Sequence, residues 1–91
     1  PGDAESNGRF AMVLHAASKY ELGEVFYRRA IEQDASFRWI YYLSQLQTLS
    51  GQKEAAIASL QKALALDPRY VAARLKLGRL LIDTGKPADA L

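Results

Sequence analysis

The chain has 91 residues, of which 49% are hydrophobic and 24% are charged, as expected for one small domain with an ordinary globular composition. It has no cysteine, which excludes disulfides, zinc knuckles and thiol catalysis, and its net charge of +2 is too small to indicate a nucleic-acid partner. No apolar run approaches the roughly 20 residues that span a bilayer, so we expect no membrane insertion, and cytoplasm and periplasm both remain open as locations.

Five helices are predicted in chain order, because apolar residues recur at the helical period and β-branched residues are scarce. Ser50-Gly51 ends the third helix and Thr84-Gly85 ends the fifth. Asp67-Pro68 ends the fourth, since the residue before a proline is pushed out of the helical region. The fold class is therefore all-α, and the predicted helices cover residues 8–18, 20–33, 39–49, 54–66 and 70–82.

The chain also repeats itself. Residues 27–35 align with residues 60–68 at a shift of 33, and residues 43–51 align with residues 77–85 at a shift of 34. The connections are short, so each helix folds back antiparallel on the previous one, and stacked hairpins complete a core that a single hairpin cannot bury. We expect close helix crossings at the small residues Ala30, Ala56, Ala63 and Gly78.

This pattern resembles the tetratricopeptide repeat (TPR) family, whose signature is W-x2-L-G-x2-Y, then A-x3-F, then a proline, over about 34 residues. Ser18 stands where the first unit would have its turn glycine. The middle unit shows Ile40-x2-Leu43-Ser44-x2-Gln47, Gly51, Ala56-x3-Leu60, Ala63 and Pro68, and the third shows Leu77-Gly78-x2-Leu81 and Gly85.

The resemblance implies antiparallel helix-turn-helix repeats stacked as a right-handed α-α superhelix, whose first helices line a concave groove. It implies a single domain over residues 1–91, with units of about 4–36 and 37–70 and a partial third unit at 71–91. In this family the groove usually binds an extended peptide or a helix of a partner protein.

If that geometry holds, the groove side of each first helix carries residues spaced three and four apart. The mixture of apolar side chains and two arginines suits an extended segment with hydrophobic anchors and one acidic group. Among the aromatic residues, Tyr41 is the one expected in the groove, whereas Trp39 and Tyr42 are expected to pack against the flanking hairpins. The candidate groove residues are Gly8, Met12, His15, Arg38, Tyr41, Gln45, Thr48, Leu75, Arg79 and Ile82.

No residues point to catalysis, because the single imidazole is that of His15 and no metal, cofactor or phosphate-binding motif is present. We therefore expect a non-enzymatic module that binds a protein or peptide and not a nucleic acid. One alternative is a regulatory segment of a larger protein.

The other alternative is self-association. Residues 1–36 carry four basic and six acidic side chains, whereas 37–70 and 71–91 each carry four basic and two acidic ones. Unlike ends of two copies would attract each other, and the incomplete third unit would form a homodimer through Pro87–Leu91.

Overall fold

A computed structural model describes residues 2–85 of the chain, and within that range every regular element is an α-helix. The five helices are joined by short turns and confirm the all-α prediction. They are α1 (Ala4–Ala16), α2 (Tyr20–Gln33), α3 (Phe37–Leu49), α4 (Lys53–Leu66) and α5 (Val71–Asp83).

The ends of the helices agree with the predicted ones to within two residues, except at the start of α1. There the helix begins four residues before the predicted Gly8, because the side chain of Asp3 accepts a hydrogen bond of 2.8 Å from the backbone N–H of Ser6. That hydrogen bond also holds the pKa of Asp3 below its usual value. The N-cap therefore adds a turn that apolar periodicity alone does not reveal.

The turn that follows each of α1, α3 and α5 contains one residue in the left-handed region. Gly51 and Gly85 occupy it with φ of 81° and 79°. Ser18 occupies the same place with φ of 61°, so the first turn is built without its glycine. The structure thus confirms Ser18 as the counterpart of the turn glycines.

The helices stack as antiparallel hairpins. Helix α1 packs on α2 and α3 packs on α4, while the contacts of α2 with α3 and of α4 with α5 join one hairpin to the next. The stack measures 42 × 25 × 16 Å. Two apolar clusters fill it, one centred on Tyr27, Trp39 and Leu46 and the other on Ile57 and Leu60. Trp39 packs as predicted, and Tyr42 lies against both clusters.

The three alanines predicted at close helix crossings, Ala30, Ala56 and Ala63, are each fully buried. A Cβ added at Gly78 would meet no described atom within 4 Å, whereas one at Gly8 would lie 2.4 Å from the ring of Trp39. A Cβ at Gly23 would lie 2.9 Å from Leu46. Both of these close approaches lie where the first hairpin packs against α3.

Candidate functional site

A surface cavity of about 290 Å³ opens between the first two hairpins. Met12 and His15 line it from α1, while Tyr42 and Gln45 line it from α3. Tyr27 of α2 lies at its base and is almost fully buried. We call this cavity, completed by Ala16, the α1–α3 cavity.

A second cavity, of about 270 Å³, opens between α3 and α5. Its walls combine leucine side chains with three basic residues and one acidic residue. We call it the α3–α5 cavity, and it is lined by Ser44, Gln45, Thr48, Leu49, Lys53, Leu60, Lys76, Arg79, Leu80 and Asp83.

Gln45 belongs to both cavities, so they form one continuous surface along the first helices of the hairpins. We call this combined surface the groove. Gln45 is half-buried, and its side-chain amide makes no hydrogen bond to any residue in the range 2–85. An amide has two N–H donors and one carbonyl acceptor, which matches the alternating polar groups of an extended peptide backbone.

Five of the predicted residues line the groove. Met12 and His15 lie in the α1–α3 cavity, Thr48 and Arg79 lie in the α3–α5 cavity, and Gln45 lies in both. Helical spacing placed these five residues on one surface because all of them project from first helices.

The remaining predicted residues lie elsewhere. Gly8 is buried against the ring of Trp39. Tyr41 is only 7% exposed, because its ring stacks on Phe37 at 5.3 Å and meets the ring of Tyr70 at 5.2 Å. The expectation that Tyr41 is the exposed aromatic residue of the groove is therefore corrected: Tyr42 lines the cavity instead.

The three other candidates do not line either cavity. The guanidinium of Arg38 lies 3.0 Å from the carboxylate of Glu5 and 4.1 Å from the centre of the Trp39 ring, so it already has partners within the chain. Leu75 and Ile82 are 69% and 60% exposed on α5, outside the two cavities.

The sequence analysis missed the groove residues that come from second helices. Tyr27 of α2 and Lys53 and Leu60 of α4 reach the cavities from behind the first helices. Lys76 was not among the candidate groove residues, although it lies three residues before Arg79 on the same helix.

His15 and Tyr27 form the one polar contact inside the α1–α3 cavity that joins two titratable groups. The Nδ1 atom of His15 lies 2.9 Å from the hydroxyl oxygen of Tyr27, and either group can donate, depending on the tautomer of the imidazole. Burial lowers the pKa of His15 and raises the pKa of Tyr27 to about 12. The neutral forms of both residues are therefore favoured in the folded chain.

Two further observations bear on other kinds of site. In the described range there is no group of three or more His, Cys, Asp or Glu residues able to hold a metal ion. No helix between residues 2 and 85 is both long and apolar enough to cross a membrane. The predicted dimer contact at Pro87–Leu91 lies outside the described residues.

Comparison with known proteins supports a helical-repeat fold. A family model described as tetratricopeptide repeat matches residues 48–91. The crystal structure of MamA is similar with a TM-score of 0.90 at 24% sequence identity, over 99% of this chain and 53% of that one. The chain thus spans about half the length of MamA, and this likeness shows the fold alone. No curated protein matches the sequence.

Proposed function

We propose that this chain binds an extended segment of a partner protein along the groove, because a family model described as tetratricopeptide repeat matches residues 48–91. Members of the family are in general protein–protein interaction modules and not enzymes. In this proposal the segment lies across Gln45, with one end in the α1–α3 cavity and the other in the α3–α5 cavity.

The observation that carries this proposal is the amide of Gln45, which joins the two cavities and has no partner in the range 2–85. A half-buried amide without a partner gains hydrogen bonds when a peptide backbone lies against it. The cavities on either side have volumes of about 290 and 270 Å³, large enough for side chains of that peptide. Peptide recognition commonly combines main-chain hydrogen bonds with side-chain pockets in this way.

The test is a selection of binders from a random-sequence peptide library displayed on phage, followed by titration of the enriched peptides. Gln45→Trp places an indole at the junction of the two cavities. Gln61→Trp makes the same change at an exposed position of α4 that lines neither cavity and is the matched control. Peptides that bind the native chain and the Gln61→Trp variant but not the Gln45→Trp variant support the proposal. Binders that are insensitive to Gln45→Trp would contradict it.

A further inference from the structure

We propose that the groove selects a partner segment carrying an aspartate or glutamate beside an aliphatic residue, with this pair held in the α3–α5 cavity. This inference rests on the proposed function and adds the chemistry of the ligand. Of the two arginines that the sequence pattern offered for an acidic group, Arg79 lines this cavity, whereas Arg38 is paired with Glu5.

The first support is the charge of the α3–α5 cavity. Lys53 at the start of α4 and Lys76 and Arg79 on α5 contribute three positive charges, and Asp83 contributes one negative charge. None of these four side chains forms an ion pair with a residue in the described range, although Arg79 and Asp83 are one helical turn apart. The cavity thus has a net charge of +2 with its cations unpaired, which favours an anionic ligand group.

The second support is the leucine wall of the same cavity. Leu60 and Leu80 are almost fully buried beneath it, and Leu49 is 62% exposed at its edge. An aliphatic side chain that covers Leu49 removes apolar surface from water, which favours binding. Cations and leucines therefore face one space of about 270 Å³, and this combination fits adjacent acidic and aliphatic side chains.

The leucine wall also favours a peptide over a nucleic acid. A sugar–phosphate backbone offers the cations a partner but leaves the leucines uncovered. In addition, nucleic-acid bases stack on exposed aromatic side chains, and none of the described residues that line this cavity is aromatic. The net charge of +2 for the whole chain is small for phosphate-driven binding.

The experiment uses the peptides obtained from the library and two double variants of equal charge. Lys76→Gln with Arg79→Gln removes two cations from the cavity. Lys62→Gln with Arg69→Gln removes the same two residue types from exposed positions that do not line it. We expect groove-dependent peptides to be enriched in Asp or Glu next to Leu, Ile or Val. We expect the cavity variant to weaken their binding roughly three- to twentyfold and the control variant less than twofold.

Each enriched peptide is also tested with its acidic residue changed to the matching amide. This neutral peptide should bind the native chain and the cavity variant with equal affinity, because no charge pair remains to be lost. Groove-dependent peptides without an acidic preference, or equal effects of the two double variants, would overturn the inference while leaving the proposed function intact. A complete lack of peptides sensitive to Gln45→Trp would overturn both. A single-stranded oligonucleotide that binds the native chain and loses affinity only in the cavity variant would also overturn the inference.

Discussion

Two glycines inside helices provide a quantitative test of how the hairpins pack. Gly8→Ala and Gly78→Ala make the same chemical change, and each gains about 1 kcal/mol of helix propensity. At Gly8 the new Cβ would lie within 2.5 Å of three ring atoms of Trp39, whereas at Gly78 it would meet nothing described within 4 Å. The ring of Trp39 is 2% exposed and is held by Tyr27 and Tyr42, so it has little room to withdraw.

The propensity gain is common to both variants and cancels in their comparison. The difference in unfolding free energy then measures the overpacking at Trp39, which we expect to be about 1–3 kcal/mol. Urea unfolding followed by circular dichroism should place the midpoint of Gly78→Ala above that of the native chain and above that of Gly8→Ala by about 1 M or more. Equal midpoints for the two variants would refute the packing of α1 against Trp39.

Three further changes test local features of the first two hairpins. Ser18→Gly should stabilise the chain by about 1 kcal/mol in urea unfolding, because it relieves a left-handed conformation in a non-glycine residue. Ser59→Ala should cost about 1–3 kcal/mol by the same method, since it removes the 2.7 Å hydrogen bond to the Oε1 atom of Gln47, a residue only 1% exposed. Finally, burial lowers the pKa of His15 in the folded state below its ordinary value of 6.5. The stability that depends on the neutral imidazole is therefore present above pH 6.5 and is lost as the pH falls below that value. Urea midpoints should decline from pH 7 to pH 5 in the native chain but not in the His15→Gln variant.

Each of these changes has a control. Gly51→Ala introduces the strain that Ser18→Gly removes and should lower stability, so gains in both variants would argue against the turn geometry. Ser36→Ala alters a serine whose side chain makes no cap hydrogen bond, and a loss equal to that of Ser59→Ala would argue against the buried pair. A pH response in His15→Gln equal to that of the native chain would show that carboxylates, not the imidazole, set the decline.

The repeat pattern predicted the fold well because its signals are local. Apolar periodicity located five helices, and the turn glycines and the Asp-Pro pair located their ends. The exception is the start of α1, because Asp3 caps that helix through a single side-chain hydrogen bond that apolar periodicity does not reveal.

The groove was predicted less completely because its surface depends on contacts between residues far apart in the chain. Tyr41 has the spacing of a groove residue, but its ring packs against the ring of Tyr70, which lies beyond α4. Arg38 also has that spacing, but its charge is paired with Glu5, 33 positions earlier. Lys53 reaches the groove from a second helix, so a pattern read only along the first helices could not predict it.

The most direct test of the proposed function is nuclear magnetic resonance of the ¹⁵N-labelled chain titrated with a peptide selected from the library. We predict that the largest amide shifts fall on α1 and α3 around Met12, Gln45 and Thr48 and extend to Arg79 on α5. Gln61 and its neighbours on the outer side of α4 should change little. Shifts concentrated on α2 and α4 and absent from Gln45 would contradict the proposal that the groove holds the partner.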